Sequence, residues 1–148
     1  MDHKFKIAAI RQVEAHFALT PEFKPEKNKL VEITQNIEVT YEQKKNSLHV
    51  LVSLSSDNEK QPFRFAVAWQ GSFVFEKAPA KDTLERVAHI NCASIIFPYI
   101  RESVADLTRR ANIPPLHLAP VNFIALYEER QKNAEKQIAT KKLKKAKS

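Results

Sequence analysis

Alternation of apolar and polar residues dominates the first half of the chain. Phe5 and Ile7 alternate, the phase then slips so that Ile10 falls on the other parity, and Val13, Ala15, Phe17 and Leu19 continue on odd positions. This pattern predicts one long strand with a bulge near Ala8 to Ile10. Pro21 and Pro25, set among Glu and Lys, end it in a solvated connection. From Val31 the odd positions Val31, Ile33, Ile37, Val39 and Tyr41 are apolar while their even neighbours are polar, the mark of a half-buried second strand. A polar turn spans Glu42 to Ser47, and Leu48, Val50, Val52 and Leu54 then share a parity as a third strand. After the polar segment SSDNEKQP, Phe63, Phe65, Val67, Trp69, Phe73 and Phe75 make a fourth strand that carries most of the aromatic load. Gly71 interrupts that row, where a missing Cβ permits a bulge or a close backbone approach. Four strands joined by polar turns, with no helix between them, imply an antiparallel sheet.

After KAPAKD the period changes. Asp82 or Thr83 can cap a short helix that places Leu84, Val87 and Ala88 on one side. Asn91 reads as a break. Ser94 to Leu107 then forms a stronger helix with Ile96, Ile100, Val104 and Leu107 at spacings of three or four. Pro98 inside it is tolerated only near a first turn, or as a kink costing about 3 kcal/mol. Arg109 and Arg110 suit the carbonyl end of that helix, and Pro114 and Pro115 prevent its continuation. Leu116, Leu118 and Pro120 form an extended apolar connector, and a last helix opens at Pro120 with Val121, Ile124, Ala125 and Ile138 among its apolar positions. The expected architecture is α+β: a four-stranded antiparallel sheet followed by a long helix, a proline-rich connector and a C-terminal helix.

Composition narrows this picture. A length of 148 residues and 43% hydrophobic content suit one globular domain, read as residues 1–138, with a lysine-rich and disordered tail over 139–148. The charge of +7 is concentrated at that end: beyond Tyr127, Arg130 and seven lysines face Glu128, Glu129 and Glu135, leaving the body at only +2. There is no apolar run of the roughly 18 residues that span a bilayer, and the start MDHKFKIAAIRQVEAHF lacks the continuous apolar centre of a signal peptide. The lone Cys92 offers no intrachain disulfide and fits a reducing cytoplasm.

Candidate chemistry is sparse. Cys92 and His89 stand three apart without an orienting carboxylate, so a nucleophile–base pair is not supported. His49, His89 and His117 lack tight metal-ligand spacing, and one glycine cannot make a phosphate-cradling loop. Neither an enzyme nor a cofactor is expected. A nucleic-acid-binding protein using the tail as a phosphate-neutralising arm is the competing class. Charge alone supports it, because the aromatic row is not interleaved with Lys and Arg as stacking platforms are.

Four segments carry a resemblance. IIFPYIRE at 95–102, the NC preceding it, LAPVNFIALY at 118–127 and the GSF of Gly71 to Phe73 are similar to the signature segments of the SecB protein-export chaperone family. The clear match covers about Gly71 to Tyr127. The resemblance implies a cytosolic homotetramer, a dimer of dimers, that holds precursor polypeptides unfolded in long surface grooves between sheet and helices. By that resemblance Trp69, Phe73, Phe75, Leu116, Leu118, Phe123 and Tyr127 are candidates for the groove lining, with core packing as the competing assignment. Phe63, Phe65 and Val67 are assigned to packing or subunit contact. Ile96, Ile100, Val104 and Leu107 are core or oligomer interface, and the resemblance favours the interface between dimers. Members of the family are typically acidic, and acidic positions on the sheet face help to dock the translocation ATPase SecA. Glu14 matches one of these, whereas Ala18 and Ala66 stand where others are expected. A specialised relative serving one partner, such as an aggregation-prone antitoxin, without SecA delivery is the alternative within the family.

Overall fold

The computed structural model describes residues 4–24 and 33–146. Strands β1 (Phe5–Leu19), β2 (Asn36–Lys44), β3 (Ser47–Ser56) and β4 (Phe63–Phe75) precede α1 (Lys81–Arg86), a π-helical stretch (Val87–Cys92), α2 (Ala93–Arg110) and α3 (Phe123–Ala146). The sheet is antiparallel throughout, in the order β1-β4-β3-β2. β2, β3 and β4 follow one another as a meander, and β1 returns across the chain to pair Phe5 with Phe75 and Leu19 with Phe63.

The phase slip in β1 is a register shift between Ile7 and Ala9, and a second shift lies between Gln12 and Glu14. Together they restore the parity. Ile7 and Ala15 oppose Phe73 and Val67, while between them the even residues Ile10 and Gln12 take the inward places opposite Gly71 and Trp69. Because each shift exchanges the faces, the odd parity on either side hid the second one. The expectation that β2 begins at Val31 is corrected where the structure describes it. Val31 and Pro25 lie outside the described residues, and the ladder opens at Asn36, opposite Ser55 near the end of β3. Ahead of it the Thr34 N–H donates to Gln61 Oε1 at 3.3 Å instead of to a strand. The turn between β2 and β3 is also tighter than Glu42 to Ser47. Lys44 pairs with Ser47, and Lys45 takes φ 54° in the left-handed region that two-residue hairpins demand.

One face of the sheet is covered by α2. Val50, Val52, Leu54, Phe65, Val67 and Phe73 are buried beneath Ile96, Ile100 and Val104 of the helix. Gly71 shows no register shift, so the close approach and not the bulge explains it. A Cβ there would lie 2.7 Å from the Phe73 ring and 3.0 Å from Ile96 Cδ1.

The helices depart from expectation at their joint. Asn91 is not a break. α1, the π-helical stretch and α2 run on from Lys81 to Arg110, and the Ala93 N–H bonds Ala88 O five residues back. The first helix starts after Ala80, with no side-chain cap from Asp82 or Thr83. Leu84, Ala88, Cys92, Ile96, Ile100, Val104 and Thr108, each four apart, are all buried. In an α-helix a step of four overshoots the turn by about 40°, so such a row should wander off the sheet. The looser i→i+5 turns take back part of that drift and help keep the row inward. Pro98 is therefore well inside a continuous helix and not in a first turn. It is exposed, as is Ser94 four residues before it, so the carbonyl that lacks a proline N–H partner lies on the solvent side.

Past α2 the chain turns at Asn112, φ 59°. The connector is pinned twice to the helix it leaves: the Leu116 N–H donates to Thr108 Oγ1 at 2.9 Å, and Arg101 Nε donates to Leu118 O at 2.9 Å. α3 begins at Phe123 and not at Pro120, and continues through the lysine-rich segment to Ala146.

Candidate functional site

The seven candidate groove residues do not converge. Phe73, Phe75, Leu118 and Phe123 are buried in this chain. Phe123 meets Phe97 edge to face at 5.6 Å, which docks the start of α3 on α2. Trp69, Leu116 and Tyr127 keep partial exposure. Trp69 and Tyr127 lie on opposite sides of α2, because β4 carries one toward β1 and α3 brings the other toward β2.

On the β1 side, Trp69 Nε1 donates to Ser103 Oγ at 2.8 Å, and the Tyr99 ring is 5.0 Å from the indole. Ser103 Oγ is also within 3.2 Å of Gln12 Oε1, so a serine on the helix joins β1 to β4. Leu107 is half-buried and lines a shallow hollow with Gln12, Ala15, Ser103 and Arg110. Ile7, Val13, Leu19 and Tyr99 are exposed on the same flank. β1 is an edge strand and α2 lies over β3 and β4, so among the described residues nothing covers this apolar side.

On the β2 side, the His89 ring of the π-helical stretch is 5.8 Å from Tyr41, edge-on, and 5.4 Å from Tyr127. Arg86 lies 5.9 Å from the centre of the Tyr127 ring, a cation–π contact. Arg130 Nη2 donates to Ile37 O of the edge strand β2 at 2.8 Å. Burial lowers the His89 pKa from its ordinary value, Arg130 lowers it further, and Glu85 opposes them. Burial raises that of Tyr41, with Glu85, Tyr127 and Asp82 adding to it. The sequence suggests for His89 only the roles of a base for Cys92 or a metal ligand, and does not reveal this cluster. Tyr41 closed an alternating row and Arg130 looked like part of a charged tail, so no local pattern linked them. Burial pushes the Cys92 thiol up to about 12, which keeps it protonated at neutral pH and removes its nucleophilicity.

The four residues assigned to the oligomer interface also separate. Ile96, Ile100 and Val104 face the sheet of their own chain, fully buried, while Leu107 alone retains exposed surface. Phe63, Phe65 and Val67 are core.

The opposite face of the sheet is small and neutral at its centre. Glu14, His16 and Ala18 of β1 oppose Ala68, Ala66 and Arg64 of β4. His16 Nε2 is 3.4 Å from Glu14 Oε1, and Arg11 bonds Gln70 Oε1 at 3.0 Å. His49 Nδ1 pairs with Ser72 Oγ at 2.9 Å on the same face. Among the described residues no group of His, Cys, Asp and Glu is placed to hold a metal ion, and no helix is long and apolar enough to cross a membrane.

A meandering sheet with a returning first strand, backed by one long helix and joined through a pinned connector to a second, defines the SecB-like fold. The same fold is seen in a solved SecB-like chaperone from Mycobacterium tuberculosis in complex with a ChAD peptide from an antitoxin. That likeness has a TM-score of 0.67 at 22% identity, over 79% of this chain and 90% of the other. The chain belongs to the SecB family: the family model described as preprotein translocase subunit SecB matches residues 7–134. Among relatives, the protein-export protein SecB of Neisseria meningitidis serogroup C is 39% identical over 82 residues, 55% of each chain. That of Aromatoleum aromaticum is 44% identical over 85 residues, 57% of this chain and 53% of its own. These matches span about half the length of the relatives. The SecB family is not a class of enzymes.

Proposed function

We propose that this protein is a cytoplasmic chaperone that binds unfolded or precursor polypeptides and keeps them soluble and competent for export. The observation that carries the reading is the family match over residues 7–134. The surface agrees with it, since partly exposed aromatic and aliphatic side chains flank α2 on both sides without any catalytic constellation among the described residues. Such a surface suits ligands recognised by apolar content and extended backbone. On this reading client grooves run on the two sides of α2, with Trp69 lining the β1 side and Tyr127 the β2 side, and Leu116 is the third candidate that keeps exposed surface. Phe73, Phe75, Leu118 and Phe123 belong to the core.

Assembly as a dimer of dimers is part of the proposal. With Ile96, Ile100 and Val104 occupied by their own sheet, Leu107 and the exposed flank of β1 are the surfaces that self-association would cover. The test is suppression of aggregation of a chemically unfolded client, run beside SecA binding and light scattering. Holding by an oligomer supports the reading. Absence of holding at several-fold molar excess, a monodisperse monomer, or tight RNA binding with salt-sensitive client binding would overturn it.

A second reading within the family, a specialised chaperone for one partner without SecA delivery, is favoured by the outer sheet face. There Glu14 is engaged by His16, Ala18 and Ala66 carry no charge, and Arg11 and Arg64 are basic. The peptide-bound relative from Mycobacterium tuberculosis is a precedent for such a partner. Client holding with no SecA binding would establish it.

A further inference from the structure

α3 is held to the body by a short stretch. Phe123, Leu126, Tyr127 and Arg130 share one face of the helix at spacings of three and one, and every described residue from 131 to 145 is exposed. The middle of that attachment is a single imidazole. His89 touches Tyr41 of β2 and Tyr127 of α3, so it belongs to the contact between three elements. It also lies in the one π-helical stretch of the described chain, a feature that recurs at functional positions in helices.

The charged and titratable groups around it come from each neighbouring element. α1 supplies Asp82, Glu85 and Arg86, β2 supplies Tyr41, and α3 supplies Tyr127 and Arg130. Arg86 is already against the Tyr127 ring, and Arg130 is committed to Ile37 O. A positive charge on the imidazole would therefore arise in a half-buried position close to the Arg130 guanidinium, with Glu85 as the opposing carboxylate.

We propose that His89 is a proton-operated latch on α3: neutral, it lets the helix dock across Tyr41 and Ile37, and protonated, it drives the docked turn of α3 away from β2. The uncovered surface would be the apolar end of β2 and the Phe97 side of α2, a polypeptide-binding surface if the holding function above is right. The sign is set by the environment. Docking lowers the pKa of His89 below its ordinary 6.5, chiefly through burial. Docking is then at full strength above that value and is lost as pH falls through the docked pKa. Each pH unit between the docked and released pKa corresponds to about a tenfold rise in opening once both forms are protonated.

Hydrogen exchange by mass spectrometry on the full chain reads the latch without any client. Protection of residues 123–130, corrected for the intrinsic pH dependence of exchange, should fall between pH 7.5 and 5.5 while β3 and β4 stay protected. His89→Phe keeps a ring between the two tyrosines but cannot take a proton, so its α3 protection should be flat with pH. Arg130→Gln should weaken the pH response by removing the cation that disfavours the charged imidazole. Direct titration of the His89 ring by NMR in the unmodified protein is a reading that needs no variant, and its pKa should lie below 6.5. Flat α3 protection in the unmodified protein, an unchanged pH response in His89→Phe, or an imidazole pKa at or above 6.5 would each overturn the proposal. A parallel client-binding series separates the two ideas: loss of holding with an intact exchange response sinks the chaperone reading and leaves the latch.

Discussion

The replacement Ile100→Ala, compared with Leu107→Glu, separates core from interface along one helix. Ile100 is fully buried in the single chain between α2 and the sheet, close to the rigid aromatic layer of β4, whereas Leu107 is half-exposed beside β1. Truncating a buried isoleucine removes its transfer free energy and leaves a cavity, about 3 kcal/mol in the middle of the usual range. For a chain of this size that is a fall in Tm of roughly 6–12 °C. Leu107→Glu places a charge on the rim of a shallow hollow and should cost no more than about 1 kcal/mol within one chain, yet it should reduce the mass of the assembly. The assay is urea unfolding of both variants at two protein concentrations, together with light scattering under native conditions. Two concentrations are needed because association stabilises by mass action. Ile100→Ala should lose stability equally at both while retaining its mass. If instead it kept its unfolding midpoint and dissociated, the stripe on α2 would be an interface and its assignment to the core of this chain would be wrong.

Three further outcomes are expected. Gly71→Ala should destabilise by about 1–3 kcal/mol, since its Cβ would meet a Phe73 ring that is fully buried, and an unchanged Tm would show that the ring can move. Cys92 should resist a thiol reagent in the native protein and react only on unfolding; because its pKa is raised from 9.0 to about 12, stability is unaffected below pH 9 and falls from there toward 12, and rapid native labelling at pH 8 would contradict the burial. Deleting Ala139 to Ser148 should leave the Tm within about 1 °C, because the described side chains from 139 to 145 are exposed, and a substantial drop would make the segment structural.

Periodicity alone placed the four strands, their antiparallel arrangement and the long helix. The inward rows Leu48 to Leu54 and Phe63 to Phe75 were legible because a strand has a period of two and one face of this sheet is dry. Gly71 was legible as either a bulge or a close approach, and the unbroken register with the Phe73 ring 2.7 Å from a would-be Cβ chose the second. The start of β2 and the second shift in β1 were not. A ladder ends where its partner ends, and two shifts of one residue each leave the parity outside them unchanged.

The same limit explains the helices and the site. A row of apolar residues four apart has the wrong pitch for a straight α-helix, and only the packed structure shows that a π-helical stretch keeps it on the sheet where Asn91 looked like a break. Periodicity says which residues share a face but not what covers that face. So Ile96, Ile100 and Val104 could be read as core or interface until the sheet was seen beneath them, and Trp69 and Tyr127 could be grouped as groove lining until α2 was seen between them. The contact of His89 with Tyr41 and Tyr127 joins three elements that are neighbours only in space. Sequence determined the elements and the family resemblance, because local pitch and motif are written residue by residue. Tertiary structure decided which surfaces remain open, because exposure depends on every other element at once.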